Sequence, residues 1–336
     1  MRNLSFLVLI TVLILSACGR PNIDEQTGQK TIRLAYLVNP TQSTHIMSEE
    51  FKEQVEEESD GRLRVELYPS GSLFPSDREA IEAVQLGNVE MTIPALASVS
   101  GFDRDFMILD LPYLFEDTEE AYSVLDGPFG QGLLDGLEDV NIKGLVYGEN
   151  GFRHITNNIH PVYTPEDIEG QKMRTLESPV HTDVFNAFGA NASPFAFGEM
   201  YSTLQQGTYD AMESPIALMY TSNLYEVQQY MSLTSHVYMP VALLMNNDFY
   251  ESLEPDLQEI VMDAAEDYRE NQRILSQEQN EEYMQEMVDG GLQVNDLTDE
   301  ERQAFSEKAE PVYEKYEEML GSELFDELNK AVEEAQ

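Results

Sequence analysis

Between Pro255 and Gly290 the chain runs for 34 residues, Asp256 to Asp289, with no glycine and no proline. As one helix this stretch would be about 50 Å long, more than a single small domain needs. Leu257, Ile260, Val261, Ala264, Ala265 and Tyr268 form an apolar stripe at helical spacing. Ser276 to Glu282 is polar all round, and Tyr283, Met284, Met287 and Val288 resume the stripe. Two apolar patches separated by a polar middle fit one helix laid across two domains. They also fit two ordinary helices with an unmarked break.

The rest of the chain supplies an α/β pattern. Thr31 to Val38 (TIRLAYLV) is a mostly apolar strand and Arg62 to Tyr68 (RLRVELY) an alternating, half-buried one. Ser43–Ser59 and Ser76–Leu86 have helical spacing, Asp60-Gly61 makes a turn, and Val89–Ile93 is a third strand. That β-α-β-α-β order predicts a sheet covered by helices. Helices follow around 117–125 and 129–138, then a strand at 143–147. A second unit begins near Gly151, with a strand at 172–175, helices at 179–188 and 199–206, and a strand at 241–245. Two amphipathic helices fill 298–335.

The first residues read as an address. Met1-Arg2-Asn3 carries one positive charge, Leu4 to Leu15 is almost wholly apolar, and Leu15-Ser16-Ala17-Cys18-Gly19 follows. The apolar run suits a signal peptide and is too short for an ordinary membrane span. The single cysteine of the chain sits where a bacterial lipobox places its lipidated thiol. The expectation is a leader over 1–17, lipidation at Cys18 and a polar tether to residue 30.

Composition excludes several functions. Nineteen Lys and Arg against 63 Asp and Glu give a formal charge of −44 in 336 residues. Such a chain repels phosphate backbones, so nucleic acid is not an expected partner. One cysteine permits no intramolecular disulfide, and the five histidines have no metal-ligand spacing. No nucleophile elbow, Walker loop, zinc-binding helix or calcium loop occurs. Neither a metal nor a cofactor is expected.

Basic residues are therefore scarce enough to inspect singly. Arg174 lies in the short strand Lys172-Met173-Arg174-Thr175, just before a helix, where open α/β sheets bind ligands. Arg153 follows the strand at 143–147. A guanidinium suits a carboxylate through two parallel hydrogen bonds. In so acidic a chain a surface ion pair is the competing reading of either arginine.

Several segments carry a resemblance. They include Gly61-Arg62-Leu63-Arg64-Val65-Glu66-Leu67-Tyr68-Pro69-Ser70-Gly71, Glu82-Ala83-Val84-Gln85-Leu86-Gly87 and Leu111-Pro112-Tyr113-Leu114-Phe115. Denser still are Gly151-Phe152-Arg153, Pro165-Glu166-Asp167-Ile168-Glu169-Gly170-Gln171-Lys172-Met173-Arg174 and Glu199-Met200-Tyr201-Ser202-Thr203-Leu204-Gln205-Gln206-Gly207. In order and spacing, the chain from residue 31 onward resembles the substrate-binding proteins of TRAP transporters, the tripartite ATP-independent uptake systems (DctP family).

The resemblance implies a two-domain periplasmic-binding-protein-like α/β fold. It has a central cleft, crossing hinge strands and a long helix spanning both domains. The domains would comprise 31–150 plus 240–279, and 151–239 plus 280–336. The resemblance makes Arg174 the arginine that pairs with a ligand carboxylate and Arg153 a second ligand arginine. Phe197 matches an aromatic that stacks on the ligand. Ser214 replaces the usual asparagine before Pro215, so one amide contact is lost. Glu177 and Asn39 are further candidates for ligand hydroxyls, and His45 and Tyr238 are weaker ones. The implied function is a non-enzymatic extracytoplasmic receptor, lipid-anchored or periplasmic. It would hand an organic acid, a sugar acid such as a uronate or a C4-dicarboxylate, to a membrane permease. A surface lipoprotein with an enzymatic or adhesive role is the alternative.

Overall fold

The structure, a computed structural model, describes residues 28–336. The expected leader, Cys18 and most of the tether lie outside the described residues. The alternating segments pair as their patterns require. β1 (Lys30–Ala35), α1 (Ser43–Glu58), β2 (Leu63–Tyr68), α2 (Asp77–Gln85) and β3 (Met91–Thr92) follow in order, with β1 parallel to both β2 and β3. Ile32, Leu34, Leu63 and Val65 are buried under α1, while their polar neighbours face outward. Asp60 and Gly61, at φ 51° and 73°, make the left-handed turn that starts β2. The Ser76 side chain caps α2 by accepting from the Glu79 N–H.

Next come α3 (Thr118–Asp126), α4 (Pro128–Gly136) and β4 (Ile142–Asn157). They are followed by β5 (Lys172–Thr175), α5 (Pro179–Ala187), β6 (Asn191–Pro194), α6 (Met200–Gln205), β7 (Ala211–Pro215) and α7 (Ile216–Thr221). The chain ends with β8 (Tyr230–Asn246), α8 (Asn247–Glu251), α9 (Pro255–Asp289), β9 (Gln293–Asp296), α10 (Asp299–Leu320) and α11 (Ser322–Ala335).

The strands expected at 143–147 and 241–245 are only parts of β4 and β8, which run for 16 and 17 residues. Gly148, Gly151 and Pro240 look like breakers in the sequence, but here they sit inside an antiparallel pair. The pair tolerates them because its register shifts between Gly144 and Val146, Glu149 and Gly151, and Arg153 and Ile155. Gly151, at φ 97°, needs the freedom of glycine. Arg153, expected after a strand, is therefore inside one.

All nine strands form one sheet in the order β2-β1-β3-β8-β4-β7-β5-β6, with β9 on β8. β8 and β4 lie in the middle and serve both halves. Met245 pairs with Met91 of β3 at one end, and Arg153 to Asn157 pair with β7 at the other. The result is a two-lobed α/β fold whose lobes are joined by two crossing strands.

The long segment is one helix, α9, of 35 residues. Leu257, Val261, Ala264, Ala265 and Tyr268 pack into the core beneath α1, and Tyr283 and Met287 are buried farther along. Between these patches the helix is polar and largely exposed, but Gln272, Ser276 and Gln279 on its inner side are buried, and the two glutamines hydrogen-bond backbone that would otherwise lack partners. Gln272 Oε1 accepts from the Glu149 N–H at 2.7 Å, and Gln272 Nε2 donates to Glu149 O at 2.7 Å and Ser43 Oγ at 3.1 Å. Gln279 accepts from the Ser43 N–H at 2.8 Å and donates to Thr41 O at 2.9 Å. α10 packs on α5, whereas α11, through buried Phe325 and Leu328, reaches back to α3 and α4.

Candidate ligand-binding site

A cleft lies where the two halves of the sheet face each other. β5 supplies Arg174. Met173 and Thr175 point into the core, so alternation aims Arg174 the other way. Its Nε donates to Phe195 O at 2.8 Å. Among the described residues it has no ion-pair partner, although its side chain is buried. Burial pushes the guanidinium down to about 10, with Glu213 opposing that shift and Arg153 adding to it.

β4 supplies Arg153, but this arginine is already engaged. Its Nε donates to Glu213 Oε2 of β7 and its Nη2 to Glu213 O at 2.8 Å, while Nη1 has no partner. Burial pushes the Glu213 carboxyl up. Arg153, His236 and His181 outweigh that effect and hold it well below the usual carboxylate range. His236 Nε2 lies 3.5 Å from Glu213 Oε2 and His181 Nδ1 4.0 Å from Glu213 Oε1. Behind them His181 Nε2 is 3.4 Å from Asp110, which accepts from Ser178 Oγ at 2.6 Å. This buried network holds Arg153 and, through charge, stabilises the cation at Arg174.

Ser214, next to Glu213 on β7, and Phe197, in the turn before α6, also line the cleft. Phe197 additionally borders an outer vestibule of about 710 Å³ between residues 70–75 and 195–199. Asn39 and Glu177 are not among the lining residues. Asn39 Nδ2 donates across the lobes to Thr221 O at 2.6 Å, and its Oδ1 accepts from Ser70 Oγ at 3.3 Å. Glu177 is exposed and acts on the site only through charge, on Arg174 and Asp77. His45 is a structural partner of Tyr36, at 2.7 Å from its hydroxyl. Tyr238 packs edge-on against Phe115, Tyr122 and Phe152.

Three functional groups escaped the sequence reading. Asp77 lines the cleft opposite Arg174 and accepts from the Ala95 N–H at 3.2 Å. Burial pushes its carboxyl up to about 7, partly offset by Arg174. In the sequence it is merely an acid in the first turn of a helix. Asn150, the bulged residue between Glu149 and Gly151, turns into the cleft and leaves Oδ1 buried without a partner. Glu213 shows itself only once β4 and β7 are paired. Its neighbour Ser214 carried the sequence signal.

Arg174 can thus grip a carboxylate, while Asp77, Asn150 and Arg153 Nη1 offer one further bond each. No group of three metal-binding side chains occurs among the described residues. The profile of the bacterial extracellular solute-binding proteins, family 7, matches residues 34–319. The 2,3-diketo-L-gulonate-binding periplasmic protein YiaO of Escherichia coli (strain K12) is 34% identical over 83% of this chain and 84% of its own. The C4-dicarboxylate-binding protein DctB of Bacillus subtilis (strain 168) is 32% identical over 91% of this chain and 88% of its own. The sugar acid binding protein DctPAm of Advenella mimigardefordensis, solved with galactonate, superposes with a TM-score of 0.89 at 34% identity. That comparison covers 92% of this chain and 99% of the other. The family match and these likenesses place it: the chain belongs to the DctP family of TRAP-type extracytoplasmic solute-binding proteins, which bind and do not catalyse.

Proposed function

We propose that this receptor captures an organic acid by docking its carboxylate on Arg174 and delivers it to a TRAP-type permease. The single observation that carries the ligand site is a fully buried guanidinium with no carboxylate of its own. A ligand carboxylate would supply the missing charge and take two parallel hydrogen bonds. Asp77, Asn150, Arg153 Nη1 and Ser214 would bind hydroxyl or oxo groups, and Phe197 would cover the ligand from the vestibule side. Sugar acids and C4-dicarboxylates are the ligands named for the relatives above.

Closure would bend β4 and β8 at the bulge beside Gly151, opposite Met239 and Pro240. This favours lobes of 31–150 plus 240–279, and 151–239 plus 280–336, although the packing of α11 on α3 and α4 ties the end of the chain to the first lobe. The Asn39–Thr221 bond ties the two sides together in this structure. Lipidation at Cys18 would keep the receptor at the outer face of the membrane, beside its permease. Two or more acyl chains give stable anchoring.

Titration calorimetry against aldonates, uronates and dicarboxylates tests the site. Arg174→Ala leaves the ligand charge buried and unpaired, at a cost of about 3–5 kcal/mol. Affinity should then fall by roughly a hundredfold to several thousandfold. Arg174→Lys should also bind poorly, since the planar fork is lost. Wild-type affinity in Arg174→Ala would show that the carboxylate docks elsewhere.

A further inference from the structure

The walls of the cleft are chemically unequal. The half of the sheet carrying β1, β3 and β8 contributes Leu37, Val38, Ile93, Ala95 and Val241. Its single polar group is Asp77, whose carboxyl feels the charge of Arg174. The half carrying β4, β5 and β7 contributes Asn150, Arg153, Arg174 and Ser214, with Leu176, Phe197 and Leu218 beside them. The polar groups are thus gathered around the arginines, and the wall facing them is aliphatic.

Counting donors and acceptors limits what can be buried here. Arg174 is spent on the carboxylate. Arg153 has one nitrogen left, Asn150 one oxygen, and Asp77, which lines the cleft, has spent one oxygen on the Ala95 N–H. The Ser214 hydroxyl already donates to Pro215 O at 3.2 Å, leaving it chiefly an acceptor. A ligand hydroxylated along its whole length would press some of its hydroxyls against Ile93, Val241 or Leu218 without partners. Each stranded hydroxyl weakens binding by about tenfold or more. A second carboxylate fares worse. Glu213 has claimed Arg153, so no second unpaired cation lines the cleft among the described residues.

Resting on the receptor reading above, we propose that the ligand is a monocarboxylate with its hydroxyl or oxo groups next to the carboxylate and an aliphatic remainder. Deoxy sugar acids and branched hydroxy acids belong to this class. The aliphatic part lies against the wall formed by Ile93, Ala95 and Val241, and the polar part lies on the arginine side.

Calorimetric titration of the purified protein with 6-deoxygalactonate, galactonate and succinate tests this. The first two differ only by a terminal hydroxyl. The expected result is 6-deoxygalactonate binding about tenfold more tightly than galactonate, with succinate weaker than both. Val241→Thr, nearly the same shape with a hydroxyl in the wall, should narrow the ratio between the two sugar acids. If that variant does not fold, the wild-type ratio alone decides. Galactonate or succinate binding as tightly as 6-deoxygalactonate would overturn the proposal while leaving the receptor reading in place. A protein that binds no acid at all would overturn both.

Discussion

Replacing Glu213 by glutamine removes one charge and little else. The Glu213 and Arg153 side chains are 0% and 2% exposed, so water cannot take over from the missing carboxylate. Arg153 would keep its bond to Glu213 O and an amide oxygen near Nε, but no counter-charge. Two buried guanidiniums, Arg153 and Arg174, would then stand close together without the anion that serves both. Breaking a buried pair from one side costs about 3–5 kcal/mol. Against a total stability of about 5–15 kcal/mol, that is a large fraction. The chain has no tryptophan, so urea unfolding followed by far-UV circular dichroism is the suitable assay. The double variant Arg153→Met, Glu213→Gln should recover much of the loss, since no charge is then orphaned. The Glu213 carboxyl is held below its ordinary value. The stability it contributes is complete above about pH 4 and fades as pH falls through its lowered folded-state value. The gap between wild type and Glu213→Gln should shrink accordingly in acid. A Glu213→Gln protein within about 1 kcal/mol of wild type at neutral pH would refute the reasoning.

Asp77 should behave in the opposite sense. Burial pushes it up to about 7, so the unliganded protein loses stability as pH rises from about 4 to 7. Asp77→Asn should melt higher than wild type at pH 8 and match it at pH 4; a lower melting temperature at pH 8 would contradict the assignment. Gln272→Leu strips the Glu149 N–H and C=O of their only side-chain partner at the crossing strands. About 2–4 kcal/mol of unfolding free energy should be lost in urea titrations, and a loss under 1 kcal/mol would show that this glutamine is not needed there.

The residues differed in how plainly they announced their roles. Alternation in Thr31–Val38 and Arg62–Tyr68 fixed the first strands, because one face of each is core and the other is not. The length of α9 was visible because nothing in 34 residues can break a helix. β4 and β8 were underestimated because Gly151 and Pro240 border a bulge and Gly148 makes room for Gln272, and such residues look like turns until the partner strand is known. Arg174 stood out through strand position and rarity. Its setting did not, since Arg153 meets Glu213 across 60 residues and Asp77 arrives from a different helix. Asn39 sat at the right strand end, but its amide closes the lobes on Thr221 instead of lining the cleft.

The crossing of β4 and β8 also governs how the chain comes to be folded at all. β3 is two residues long and finds its outer neighbour, at Leu244 and Met245, more than 150 residues later in the chain. At roughly 5–20 residues per second, the ribosome needs on the order of 10–30 s to make that stretch. During that interval the first lobe has an open sheet edge and no stable closure. An early strand waits for a late one, so the sheet of the first lobe is completed only after the segment 151–239 has been made.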